Sequence, residues 1–360
     1  MNGRYRALRL EADGSLAVLD QRVLPFIEEW VKIEDADSCA QAISDMTVRG
    51  AGVIGDVAAF GVYLASRECD GDIGYIERKA EKIRSSRPTA VNLMWAVDRM
   101  MDVAGSCERS ERTERLKAEA VAICDEDAEC SRKIGEHGAD LIEELIKSRG
   151  LERVNLLTHC NAGWLAIVDE GSALAPVYEA AKRGIDIHVW VDETRPRNQG
   201  ANLTAWELGK SGIPHTVIAD NAGGHLMQHG MVDLCITGAD RVSRNGDAAN
   251  KIGTYLKALA AKDNSVPFYI ALPSSTFDFS ITDGIKEIPI EVRSEEEVTY
   301  IRGVDEEGRY RSVRIVPENS AALNYGFDVT PARLITGLIT ERGVCRPETA
   351  EIENMFKDLL

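Results

Sequence analysis

The sequence predicts an α/β protein: a Rossmann-like parallel sheet in the C-terminal domain, joined to a smaller, mainly helical N-terminal domain. Three observations carry this. From about residue 150, short continuous apolar runs alternate five times with helical segments, the pattern of parallel strands covered on both faces. Before that point, apolar residues recur at spacings of three and four, as on one face of a helix. And 360 residues, 44% of them hydrophobic, comfortably make two packed domains. We divide them at 1–130 and 131–360.

In order along the chain, RYRALRLE, a turn at Asp13-Gly14 and LAVLD predict a short antiparallel element. The segment 36–48 has helical spacing with an acidic residue near its start. The small residues of AGVIGDVAAFGVYLAS (51–66) suit a tightly packed, buried helix. Residues 74–86 make a helix stopped at Pro88, residues 90–104 another, and 112–146 one long charged helix. Strands then follow at 153–160, 186–193, 214–220, 232–240 and 267–273. The helices between them are 173–184, 202–212, 223–230 and 250–264, the last placing Asn250-Lys251 at a helix start.

The net charge of −17 disfavours a nucleic-acid partner, because an acidic surface repels phosphate backbones. It would also repel a phosphorylated metabolite, which then needs a local cationic cluster. No apolar run reaches the roughly 18 residues of a membrane span, and the N-terminus lacks a signal-peptide core, so a cytoplasmic location is expected. Eight cysteines without a CxxC pair argue against a disulfide framework or a zinc site; Cys124 and Cys130 read as thiols on one helix. His225 and His229 share a helix face but lack a third ligand, and no metal is expected. No GxGxxG follows the first strand, which weighs against a nicotinamide enzyme. Asp283 and Glu295–Glu297 read as solvated surface.

Ligands of open parallel sheets bind beyond the carboxyl ends of the strands. Those ends carry Thr158-His159-Cys160, Asp192 to Arg195, Asp220-Asn221, Gly238 to Arg241 and Pro273 to Ser275. Five polar ends on one edge predict an active site there. For a phosphate, NGDAANKIGT offers Asn250 and Lys251, and TRPRNQG offers Arg195, Arg197 and Gln199. VRGAGVIG offers Arg49, with Gly50 and Ala51 allowing close approach, and Arg87 precedes Pro88. The chemistry falls to Cys160 and Asp240, on different strands facing one crevice. His159, adjacent in extended chain, points to the opposite face, so a Cys–His nucleophile is disfavoured. A thiol and a carboxyl kept protonated by burial are the better reading, with Ile54, Trp164, Leu203 and Trp206 as apolar wall candidates. A structural role for Asp240, as a helix cap or a partner of Arg241 or Lys251, stands beside it.

At these residues the chain resembles the S-methyl-5-thioribose-1-phosphate isomerase family, aldose–ketose isomerases of methionine salvage. The matching stretches include VRGAGVIG, SRPTAVNLMWAVDRM, LLTHCNAG, VDETRPRNQGANLTAWEL, ADRVSRNGDAANKIGTYLKALAAK, PFYIALPSSTFD, IPIEVR and FDVTPARLITGLITERG, in order from about residue 48 to 345. The resemblance implies Cys160 and Asp240 as catalytic residues. It implies Arg49, Gly50, Ala51, Arg87, Gln199, Asn250 and Lys251 as substrate and phosphate ligands, no metal or organic cofactor, and a homodimer. The family is related to regulatory subunits of the eukaryotic translation-initiation exchange factor, which lack the cysteine–aspartate pair kept here. Three departures stand out: Gly52 where the family has proline, Trp164 where it has a small residue, and AGGHLM after Asp220-Asn221. Trp164 bears on the C5 end of the substrate, where 5-deoxyribose 1-phosphate, ribose 1,5-bisphosphate or a non-catalytic regulatory role are the alternatives.

Overall fold

A computed structural model describes residues 6–87 and 91–360; the helix stop at Pro88 and the first residues of the N-terminal strand lie outside these. The N-terminal layer opens with a three-stranded antiparallel sheet, β1 (Leu8–Leu10), β2 (Leu16–Leu19) and β3 (Trp30–Ile33), one strand more than the sequence pattern gave. Helices α1 (Ala36–Ser44), α2 (Ala51–Glu68), α3 (Ile73–Ser85), α4 (Val91–Ser106) and α5 (Arg109–Arg149) follow. Asp35 caps α1 by accepting from the Ser38 backbone N–H, and Ser38 returns a bond to the Asp35 backbone, a capping box. All of α2 from Gly52 to Ser66 is buried, as its small residues require, between α4, α5 and α3. Residue 130 lies inside the continuous helix α5, which packs on α2 and α4 at one side and on the sheet layer at the other.

The second layer runs β4 (Val154–Thr158), α6 (Ala175–Lys182), β5 (Ile187–Asp192), α7 (Ala205–Lys210), β6 (His215–Ile218), α8 (Ala222–Gln228), β7 (Leu234–Thr237), β8 (Arg241–Ser243), β9 (Ala248–Lys251), α9 (Thr254–Asp263) and β10 (Phe268–Ala271). It ends with β11 (Phe277–Asp278), α10 (Gly284–Glu287), α11 (Glu296–Thr299), β12 (Tyr300–Val304), β13 (Tyr310–Arg314), β14 (Phe327–Thr330), β15 (Gly337–Thr340), β16 (Gly343–Cys345) and α12 (Thr349–Met355). The main sheet has the order β16-β15-β10-β7-β4-β5-β6, parallel except for β16. The protein is thus α/β with a large, mostly parallel sheet. The chain moves outward from β4 through β5 to β6, then returns to β7 on the other side of β4. A crevice opens where direction reverses, between the carboxyl ends of β4 and β7. Cys160 follows the first and Asp240 the second.

One expectation fails here. Asn250 and Lys251 lie on β9, paired to Asp328 and Phe327 of β14, not at a helix start. Helix α9 begins at Thr254, after Gly253. The apolar spacing of 250–264 reads as one helix because β9 is too short to show its own alternation.

Candidate functional site

The nine residues singled out from sequence (Arg49, Gly50, Ala51, Arg87, Cys160, Gln199, Asp240, Asn250 and Lys251) all line one small cavity, of about 40 Å³, at the crevice. Asn161, Ser172, Ile167 and Phe327 are also in its wall. On the Cys160 side it adjoins a cleft of about 400 Å³, which shares Arg49 and Gln199 and is lined by Leu203, Arg197, Glu297 and Tyr310. On the Asp240 side it meets an apolar pocket of about 30 Å³ containing Ile54, Val91, Ile288 and Phe327.

Each polar group is held by chain elements. The Cys160 backbone sits at φ 68°, with its N–H donating to Thr194 Oγ1 (2.8 Å) and its carbonyl accepting from Thr204 Oγ1 (2.7 Å). That left-handed twist turns the thiol into the cavity, where Sγ donates to Gln199 Oε1 at 3.3 Å. Gln199 enters from the loop after β5, ahead of a π-helical turn, Gly200–Thr204. Arg49 grips the next residue, donating to Asn161 Oδ1 (2.6 Å) and to the Asn161 carbonyl (2.8 Å). Gly50 allows this: at φ 94°, any Cβ would stand 2.4 Å from the Ala166 backbone. Lys251 donates to the Gly326 carbonyl at 2.7 Å and lies over the Phe327 ring, while Asn250 donates to Thr254 Oγ1 at 3.0 Å.

Burial governs the electrostatics. It pushes the Cys160 thiol up from its ordinary value, against the pull of Arg49 and Lys251. It raises the Asp240 carboxyl as well, with Lys251, Arg87 and Arg49 opposing and Glu291 adding. The same desolvation lowers Lys251, which Cys160 and Asp240 partly offset, and lowers Arg87. A buried thiol and a carboxyl whose titration burial raises therefore face a cluster of cations in a chain of net charge −17. Asp240 caps no helix: it follows β7, and Arg241 pairs with Asp278 instead.

His159 lines none of these cavities; the left-handed turn at Cys160, rather than the alternation of an extended strand, separates the two side chains. The His159 ring is bonded to Asp192 at 2.9 Å and to the Ile252 carbonyl at 2.8 Å. Among the described residues, His159, Asp192 and Asp220 form the one cluster of three close ligand-type atoms. The Lys257 ammonium is 3.1 Å from Asp192 and serves as its counter-ion. Asp220 accepts the backbone N–H groups of Thr194 and Arg195, so this strand end holds the loop that delivers Gln199. The helix N-terminus at Gly253 is likewise taken, by the Asp328 carboxylate.

Other expectations need correction. Trp164 and Trp206 line none of these three cavities; their rings pack together 5.4 Å apart, with Trp164 buried beneath Arg6. Ile54 and Leu203 line only the adjoining pockets. Arg195 donates to its neighbour's carbonyl and to that of Val298, outside the small cavity. Glu297 is not solvated surface: it bridges Arg197 and Arg293 and its carboxyl is held down to about 2 by those guanidinium groups against the cost of burial. Two residues escaped the sequence reading. Asn161 stands beside Cys160 and was discoverable by the strand-end rule. Glu207, fully buried, accepts from Asn161 Nδ2, from the backbone N–H groups of Trp164 and Leu165, and from the Tyr178 hydroxyl. Its only signal was a carboxylate within an otherwise apolar helix face.

A cavity that joins buried cations to a thiol and a carboxyl suits a small anionic ligand undergoing proton chemistry. Residues 46–347 match the Initiation factor 2 subunit family, and the chain belongs to it. A methylthioribose-1-phosphate isomerase of Sulfurimonas denitrificans is 60% identical over 99% of this chain and 100% of its own length. One from Paramagnetospirillum magneticum is 54% identical, covering 98% of each. Among solved structures, 5-methylthioribose 1-phosphate isomerase from Pyrococcus horikoshii OT3 superposes with a TM-score of 0.85 at 38% identity, over 98% of this chain and 96% of that one. The translation initiation factor eIF-2B subunit delta from A. fulgidus gives 0.80 at 38% identity, over 98% and 99%.

Proposed function

We propose that this chain is the aldose–ketose isomerase that converts S-methyl-5-thio-α-D-ribose 1-phosphate to S-methyl-5-thio-D-ribulose 1-phosphate in methionine salvage. The observation that carries this is 60% identity to a methylthioribose-1-phosphate isomerase along the full length of both chains. The thiol and carboxyl in one cationic cavity support it over the exchange-factor reading that the shared fold with the initiation-factor subunit would allow.

In this reading Arg49, Arg87, Gln199, Asn250 and Lys251 hold the phosphate, with the Gly50-Ala51 backbone close beside it. The substrate's aldehyde carbon is locked as a glycosyl phosphate, so the ring opens before C1 and C2 exchange oxidation level. Asp240 carries the proton between the ring oxygen and the C2 hydroxyl. Cys160, once its thiol proton has been lost to solvent, takes the C2 proton as a thiolate and returns it to C1 through a phosphoenolate, and Arg49 and Lys251 lower the cost of forming that thiolate against its burial. Each such general acid–base step contributes roughly 10²–10⁴-fold. We further read the sheet layer as Rossmann-like, the division as 1–130 and 131–360, the protein as cytoplasmic and the assembly as a homodimer.

Turnover of the pentose 1-phosphate in deuterated water tests the reaction. Deuterium entering C1 of the product is the expected result; its absence means hydride transfer from C2 to C1. Cys160→Ser and Asp240→Asn should each abolish turnover while the protein stays folded. A wild-type protein that isomerises no pentose 1-phosphate would refute the reading, and a panel of substrates differing only at C5 identifies the substituent accepted.

A further inference from the structure

His159 is buried with hydrogen-bond partners at both ring nitrogens. Nε2 faces the Ile252 carbonyl oxygen, which only accepts, so Nε2 must carry a hydrogen. Nδ1 faces Asp192 Oδ2, and that same oxygen lies 3.1 Å from the Lys257 ammonium. A carboxyl oxygen serving an ammonium is ionised and also only accepts, so Nδ1 must carry a hydrogen too. Donor–acceptor accounting thus makes this ring an imidazolium. Its charged surroundings are consistent with that: the Asp220 carboxylate is 3.9 Å from Nδ1, and Asp328 on β14 senses the ring, with Lys257 and Lys251 as the other cations nearby.

The two bonds tie together separate pieces of chain. His159 directly follows β4 and precedes Cys160. Asp192 ends β5. Ile252 directly follows Lys251 and precedes Gly253, whose φ is 104° and whose missing Cβ would stand 2.9 Å from His159 Cε1. The Cε1–Nε2 edge of the ring therefore abuts the backbone of the loop that carries Lys251, leaving no room for a Cβ at Gly253.

We propose that His159, as an imidazolium, is a positioning residue that fixes the thiol of Cys160 relative to the ammonium of Lys251 by tethering the end of β4 to the Ile252 carbonyl. The proposal rests on the isomerase reading, and it concerns the bond that faces away from the cavity.

Two half-replacements separate the bonds. His159→Gln keeps a donor near Nε2 and hence the tether to Ile252; His159→Asn keeps a donor near Nδ1 and only the bond to Asp192. Because a displacement of about 1 Å at reacting groups costs on the order of 10²-fold, kcat should fall about 10²-fold in His159→Asn and stay within about threefold in His159→Gln, at similar melting temperatures. Equal losses in the two variants, or none in either, would overturn the proposal. Nitrogen-15 NMR of histidine-labelled wild-type protein at neutral pH, with the His159 signal assigned by its proton contacts to the adjoining Gly253, should find hydrogen on both ring nitrogens. A bare nitrogen there would overturn it even if neither variant folds. A wild type without isomerase turnover refutes the functional reading instead, and leaves the nitrogen measurement to judge the imidazolium.

Discussion

Replacing Glu207 by alanine should cost the protein at least about 4 kcal/mol and most of its activity. Four donors converge on this carboxylate: the Asn161 amide, the backbone N–H groups of Trp164 and Leu165, and the Tyr178 hydroxyl, at 2.9 to 3.0 Å. Each buried donor left without a partner costs about 1–3 kcal/mol, so four give about 4 kcal/mol at the lower end. Glu207→Gln should be milder. An amide oxygen can keep the donors at Oε1, Asn161 and Leu165, and the Tyr178 hydroxyl can turn to accept from the new NH₂. Only the Trp164 N–H is then stranded, at about 1–3 kcal/mol. The effect on turnover follows from the next link, since Asn161 holds Arg49 at 2.6 Å. Urea unfolding followed by tryptophan fluorescence measures the first quantity, and kcat/KM for the sugar phosphate the second. Loss well below about 4 kcal/mol in Glu207→Ala, or equal loss in the two variants, would refute the accounting.

Two further outcomes follow from burial. Desolvation pushes the Asp127 carboxyl up to about 7, with Glu126 and Glu341 adding, while an unfolded carboxyl titrates near 3.8. The folded protein therefore holds a proton that the unfolded chain releases, and stability should fall as pH rises from about 4 to 7, by about 1.4 kcal/mol per pH unit at most. Asp127→Asn should reduce that slope in unfolding curves between about pH 4 and 7, leaving the share of the neighbouring Asp56, whose carboxyl burial also raises, and an unchanged slope would place the charge elsewhere. The raised Cys160 thiol should be alkylated slowly at neutral pH and faster as pH increases past its ordinary range, with inorganic phosphate protecting it; fast reaction at pH 7 would contradict its burial.

Much of the site was legible because strand ends in a parallel sheet face one edge, whatever the strand order. That rule found Cys160 and Asp240 on separate strands, and the local motifs found Arg49, Arg87, Gln199, Asn250 and Lys251, all of which meet at one cavity. Legibility ended where a residue's role depends on what lies opposite it. Asn250 and Lys251 looked like a helix start, because their pairing with β14 comes from chain some 75 residues away. Trp164 looked like a cavity wall from its spacing after Cys160, yet it turns onto Trp206. Glu297 looked solvated until Arg197 and Arg293 closed on it.

The alternation of strands and helices, the burial of α2 and the edge on which reactive groups gather can be read from the chain alone. These follow from periodicity and from the chemistry of single side chains, which are local properties. Long-range packing makes β4 and β7 neighbours, so that Cys160 and Asp240 share a crevice, and puts Glu207 and His159 behind the cavity rather than in it. Strand order and hydrogen-bond partnership are set by packing between distant segments, and no short stretch of sequence carries that information.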